Sequence, residues 1–176
     1  YDLYTYDYST YEQIDTTEEA IANAIIEVTI EDKPNIYFLE GHNYYSDEYF
    51  QLIKNDITAE ANNVLNLNIL TAGSVPEDCD CLVITTLKED ITEMEKDKIT
   101  DYINKGGKIL LLADANILGI ETPNFNKVLD LYGFSISKGI IIEQDQNKML
   151  YGSPEFIVSE VNSSIFTKNM NMNMSI

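Results

Sequence analysis

The side chains able to do chemistry gather in three short segments. The first is Glu40-Gly41-His42-Asn43, which closes the apolar strand pattern Asn35–Glu40 and precedes a helical pattern beginning at Ser46. His42 is the single histidine of the chain. Facing Glu40 or Asp114, it could act as a general base; in a turn with an exposed imidazole, it does nothing of the kind. The second segment is Thr85-Thr86, at the end of the apolar run Cys81–Thr86, and the third is Asp114, at the end of Lys108–Asp114. In open parallel sheets ligands settle beyond the carboxyl ends of the strands, where the strand order reverses. Glu40, Gly41, His42, Asn43, Thr85, Thr86 and Asp114 are therefore the candidate binding residues.

No catalytic residue is assigned among them. A nucleophile elbow needs Gly-x-Ser-x-Gly, a dinucleotide site Gly-x-Gly-x-x-Gly, and a P-loop Gly-Lys-Ser/Thr; none is present. Gly106-Gly107-Lys108 precedes a strand pattern instead of opening a helix. The acidic pairs Glu77-Asp78 and Glu89-Asp90 read as loop residues facing water, without metal-ligand spacing. Cys79 and Cys81 stand two apart with no third cysteine. A disulfide there would be strained and a metal would need more ligands, so both read as small apolar fillers. We expect neither cofactor nor metal.

The elements that would carry these residues follow from periodicity. Thr16-Thr-Glu-Glu19 has capping-box spacing, and Ile21, Ala24, Ile25 and Val28 then form a helical stripe that ends before Lys33-Pro34. Asn35–Glu40 is apolar on both faces, as a central parallel strand is. A helix capped by Ser46 carries Phe50, Ile53 and Ile57, and Val64–Leu70 reads as a strand. Thr71–Asp80, with Gly73 and Pro76, is short for a helical crossover and reads as extended chain. After the strand Cys81–Thr86, Thr92-Glu-Met-Glu95 opens a helix whose apolar face is Ile91, Met94, Ile99, Tyr102 and Ile103. Gly106-Gly107 stops it. The strand Lys108–Asp114, a helix from about Pro123 to Tyr132 and a last strand, Phe134–Ile142, complete the pattern. The fold class is α/β: a three-layer, Rossmann-like or flavodoxin-like, mostly parallel sheet with strand order about 2-1-3-4-5.

Tyr4, Tyr6 and Tyr8 alternate with polar residues, so residues 1–15 read as a linker or edge segment from an upstream domain. Residues 16–150 are the α/β domain, and 151–176 its C-terminal extension, with a frayed Asn-Met end at 169–174. The chain has 176 residues, enough for one domain with a real core. Thirty acids against 11 bases, all lysine, give a net charge of −19. Such a surface repels phosphate backbones and anionic headgroups, which argues against nucleic acid and against membrane contact. Without Arg, bidentate carboxylate or phosphate recognition loses its best side chain. The apolar runs fall short of a membrane span, and the chain reads as a soluble piece of a longer protein.

Five segments, in order, resemble a known bacterial pattern: Thr17–Ile25, Lys33–His42, Val75–Ile84, Asp101–Ile109 and Asn124–Gly133. Together they are similar to the gliding-motility-type (GldG-like) auxiliary domain of uncharacterised ABC transport systems, over roughly residues 10–170. The resemblance implies a fold similar to the class I glutamine-amidotransferase-like and intraflagellar-transport α/β domains. It also implies a place outside the bacterial cytoplasmic membrane, after a thioredoxin-like domain and between membrane spans that lie outside this sequence. Tyr1–Tyr11 would then be the junction with the upstream domain. Members commonly continue the Gly-His turn with Gly-Glu; here it reads Gly41-His42-Asn43-Tyr44, which weakens the transfer of a site role to this loop. The amidotransferase triad has no counterpart.

The expected function is thus a non-catalytic extracytoplasmic module of a membrane-anchored ABC-transporter auxiliary protein. Through the full-length protein it would meet ABC permease and ATPase subunits, and it would bind a partner protein, a polysaccharide or another exported substrate. The alternative is a hydrolase or amidase with His42, Glu40 and Asp114 converging at the strand-end crevice.

Overall fold

The structure, a computed structural model, describes residues 3–6, 10–116 and 118–158. The described chain divides into two compact units, one up to Lys138 and one from Gly139.

The first unit opens with a two-stranded antiparallel ribbon, β1 (Tyr4–Tyr6) against β2 (Gln13–Asp15), exposed along both strands. The period-two tyrosines are extended here; Tyr8 lies outside the described residues. Helix α1 (Thr17–Thr29) follows. Thr16 makes no side-chain capping bond, and the Asp15 carboxylate accepts the Thr17 N–H instead, at 2.9 Å. The Thr17 side chain first, and its N–H second, draw the Asp15 carboxyl below the usual carboxylate range. Ile21, Ile25 and Val28 keep their helical spacing, but all three are exposed, Val28 to 82%. The stripe is a surface feature; among the described side chains of this helix, only Ala20 and Asn23 are buried.

A four-stranded parallel sheet then forms in the order β4-β3-β5-β6, from β3 (Asn35–Leu39), β4 (Asn63–Leu67), β5 (Cys81–Thr85) and β6 (Ile109–Leu112). In order of appearance this is the 2-1-3-4 arrangement expected of a flavodoxin-like sheet. Alternation along the strands divides the core in two. Leu39, Leu67, Leu82 and Ile84 face one side and pack with Ile91, Ile99, Phe125, Val128 and Leu129. Phe38 and Val83 face the other and pack with Phe50, with Ile57 and Leu112 against them. Helices α4 (Glu93–Asn104) and α5 (Pro123–Leu129) thus cover one face and α2 (Gln51–Ala59) the other, which gives three layers.

Local chemistry sets the element ends. Ser46 precedes a 3-10 turn, Asp47–Phe50, that leads into α2. Strand β4 stops at Leu67, because Asn68 caps a one-turn helix, α3 (Ile69–Ala72), by accepting the Thr71 N–H at 3.1 Å. The expected strand to Leu70 is therefore shorter, and the connector begins helical instead of extended. Thr92 and Glu95 form the expected capping box at the start of α4. Near the end of α4, the Tyr102 hydroxyl shares its proton between the carbonyls of Lys108 and Cys79 and accepts the Lys108 N–H, joining the helix end to the segments that enter β5 and β6. Cys79 belongs to the core, both cysteines are free, and burial pushes both thiols up.

The expected fifth strand, Phe134–Ile142, does not form. The Asn126 side chain takes both polar groups of the Ile136 backbone, accepting its N–H at 2.9 Å and donating to its carbonyl at 3.2 Å. A strand needs those groups for its neighbour. Ile140, Ile141 and Ile142 are exposed. The second unit, by itself, holds 3-10 turns at Gln146–Lys148 and Leu150–Gly152 and an antiparallel bridge between Met149 and Ile157. The expected frayed segment at 169–174 lies outside the described residues.

Candidate functional site

The carboxyl ends of β3, β5 and β6 lie side by side, so the loops that leave them meet. Glu40 continues the β3 ladder by one bond, from its N–H to the Leu67 carbonyl at 2.8 Å. Gly41 then turns at φ +110°, a conformation that glycine adopts without strain. The turn sends the chain across to the loop after β5. Asn43 bridges Leu87, the Tyr44 N–H reaches the Thr86 carbonyl, and the Lys88 N–H reaches the His42 carbonyl, the last two at 2.8 Å.

This crossing buries His42 and directs it away from its expected partners. Its Nε2 lies 3.0 Å from both carboxylate oxygens of Glu95, and its Nδ1 lies 3.7 Å from Glu89. Neither Glu40 nor Asp114 is an ion-pair partner of His42. Glu95 is 1% exposed, and its carboxylate also accepts the Thr92 N–H at 2.8 Å and the Thr92 hydroxyl at 2.7 Å. The expected trio of His42, Glu40 and Asp114 is therefore not assembled. His42 fastens the first strand-end loop to the N-terminus of α4.

Asp114 joins a separate chain of hydrogen bonds. Its N–H donates to the Thr86 hydroxyl oxygen at 2.8 Å, and that hydroxyl donates to the Leu112 carbonyl. Its carboxylate accepts the Tyr45 hydroxyl at 2.7 Å and the Ala115 N–H at 2.7 Å. The Tyr45 bond holds the Asp114 carboxyl below its ordinary range, and the same bond pushes the Tyr45 phenol up to about 12. Tyr45 also stacks on Tyr49, with ring centroids 4.3 Å apart, and meets Tyr44 edge to face.

Between these loops lies a cavity of about 180 Å³. Its floor is Leu87, Leu111, Phe125 and Ile136; its rim includes Tyr44, Tyr45, Asp114, Asn116, Leu118 and Ile120. Three of the seven candidate residues line it, Thr85, Thr86 and Asp114, whereas Glu40, Gly41, His42 and Asn43 are not among its walls. Its polar groups are largely engaged within the protein. The Asn116 side chain accepts the Ile120 N–H and donates to the Ile120 carbonyl, both at 2.8 Å. The Thr85 hydroxyl and the Asn43 side-chain oxygen are buried without a hydrogen-bond partner. Among the described residues no three His, Cys, Asp or Glu side chains converge as a metal site.

Sequence reasoning passed over several of these residues. Tyr45 and Asn116 carried no motif. Glu95 was legible as a cap but not as the partner of His42. Asp90, expected to face water, caps α5 by accepting the N–H groups of Asn124 and Phe125 at 2.8 and 3.0 Å. Asp78, expected likewise, accepts from the Asn35 side chain and the Tyr37 hydroxyl.

The segment that builds the sheet and this crevice is also the segment that is matched. Residues 33–151 match the family described as ABC-type uncharacterized transport system. The chain belongs to this family. That is the family expected from the five ordered segments, and it sets the chain in an ABC-type transport system, as an auxiliary domain. The match takes in β3 to β6, α2 to α5 and every described wall of the cavity, while β1, β2 and α1 precede it. Comparison with curated proteins and with solved structures returned no match. Among the described residues of this ABC-type auxiliary chain, no helix is long and apolar enough to cross a membrane.

Proposed function

We propose that this chain is a non-catalytic, extracytoplasmic module of a membrane-anchored, gliding-motility-type ABC-transporter auxiliary protein. It binds a partner protein or an exported substrate in the crevice at the carboxyl edge of the sheet. The observation that carries the reading is the state of the polar groups there. A general base needs a side chain free to take a proton from a bound substrate. His42 is instead buried, with its Nε2 on the Glu95 carboxylate and its Nδ1 closed off from solvent, and Asp114 is engaged by Tyr45 and Ala115. What remains open is an apolar cavity with a hydrogen-bonded rim, a surface suited to recognition. Glu40, Gly41, His42 and Asn43 shape the loop beside it, and Thr85, Thr86 and Asp114 form its wall. ABC permease and ATPase subunits are the partners that the family points to.

Leu118 on the cavity rim is 67% exposed and suits a photo-crosslinking residue in the full-length protein. Irradiation of intact cells is expected to link it to a transporter subunit or to an exported substrate. A crosslinker at Val28, on exposed α1 and away from the crevice, gives the background. Equal yield and identical products at both positions would contradict a binding crevice.

A further inference from the structure

The cavity also limits what occupies it, if the binding reading above holds. We infer that its occupant is a large apolar side chain of a partner protein, flanked in that partner's sequence by lysine or arginine. The size argument comes first. An engineered apolar cavity of about 150 Å³ takes up one benzene ring. This one, at about 180 Å³, has room for one aromatic or large aliphatic side chain and little more.

Chemistry narrows it further. Thr86, Asp114, Asn116 and Tyr45 already spend their hydrogen bonds inside the protein. Of the buried lining groups described, only the Thr85 hydroxyl lacks a partner, so a sugar or other polyhydroxylated ligand would lose more hydrogen bonds to water than the cavity returns. An apolar group loses nothing by that exchange, and its burial on Leu111, Phe125 and Ile136 is favourable. The apolar surface also continues outside the cavity, through Tyr44 and Leu118, each close to or above half exposed. A single side chain in a pocket, ringed by a shallower apolar margin, is the usual anchor of a protein–protein contact.

Charge gives the flanks. Asp114 is the one charged group among the described lining residues, and it makes no ion pair among the described residues. It stands ionised on a molecule of net charge −19. An acidic segment would be repelled, and a basic one drawn to the rim.

Methyl NMR of the whole 176-residue chain, followed at Leu87, Ile120 and Ile136, tests this with three capped pentapeptides. They carry Phe between lysine pairs, Ala between lysine pairs, and Phe between glutamate pairs. The Phe–lysine peptide is expected to bind at least about tenfold more tightly than either of the others, the size of one anchor or one favourable charge contact. Ala113→Leu, at an exposed wall position, should abolish binding without shifting the melting temperature. Asp114→Asn should remove the preference for lysine over glutamate and keep the preference for Phe over Ala.

Equal binding of all three peptides would overturn the inference. So would binding of toluene with no response to any peptide, or methyl shifts that grow with protein concentration alone, which would assign the cavity to a second copy. The underlying reading is separated by the full-length protein. If Ala113→Leu leaves its association with transporter subunits intact, the anchor inference fails and the auxiliary role stands. If the wild-type protein forms no such association, the auxiliary role fails with it.

Discussion

Glu95 answers to two demands at once. Its carboxylate closes the first turn of α4 through Thr92 and holds the His42 imidazole, all at 1% exposure. A buried carboxylate with that many donors is secure, whereas a buried imidazole that loses its carboxylate is left unpaired. Glu95→Ala should therefore cost about 2–4 kcal/mol in urea denaturation, because it removes the cap and leaves the buried imidazole without its hydrogen-bond partner. Thr92→Ala, which removes only the cap, should cost about 1 kcal/mol. Near-equal losses would mean that the His42 contact contributes nothing. The Tyr45–Asp114 bond sits at the surface and is a matter of pH. The raised Tyr45 phenol adds stability that is fully present below the unfolded value of about 10 and is lost as pH climbs toward about 12. The lowered Asp114 carboxyl adds stability that is present above its unfolded value of about 3.9 and is lost as pH falls through the depressed folded value. The link thus holds from mildly acidic to mildly alkaline pH. Tyrosine absorbance should show a late-ionising group of phenols, Tyr45 among them beside the half-buried Tyr102 and Tyr37, and Tyr45→Phe or Asp114→Asn should lower that late amplitude by one phenol. A late amplitude unchanged in both variants would contradict the link.

Among the elements, α1 and α4 have the same kind of apolar spacing and opposite fates. Ile99 of α4 is fully buried against the sheet, and Val28 of α1 is 82% exposed. Ile99→Ala should cost about 2–5 kcal/mol and Val28→Ser within about 0.5 kcal/mol, as measured by chemical denaturation. A large loss at Val28 would show that the stripe is covered in solution. The contrast also marks what periodicity conveys. It identified both helices, but which one meets the sheet depends on chain connections that spacing does not encode. The parallel strands were legible because each is apolar on both faces, and α4 because Thr92 and Glu95 stand three apart before the stripe. The fifth strand was misread because Phe134–Ile142 has the composition of a strand, while the deciding contact comes from Asn126, ten residues before Ile136. In the site, Thr85, Thr86 and Asp114 were legible from strand ends alone. The His42–Glu95 contact spans 53 residues and crosses from one strand-end loop to the next helix, a relation with no local signature. Tyr45 escaped because a lone tyrosine in a loop carries no motif.

For the whole molecule, sheet, crevice and family coincide: residues 33–151 contain all of them. The three-layer sheet is a common scaffold and is silent on activity, so function has to be read at the strand ends. There the described residues form an apolar cavity with Asp114 on its rim, while His42 lies against Glu95. On the proposed reading, this surface serves recognition within an ABC-type transport system. The most direct measurement is quantitative co-purification of the full-length protein from mildly solubilised native membranes, wild type beside Ala113→Leu, with the bound proteins identified. ABC permease and ATPase subunits are expected to accompany the wild type in stoichiometric amounts and to be depleted in the variant. Isolation of the wild-type protein alone, without any transporter subunit, would contradict it.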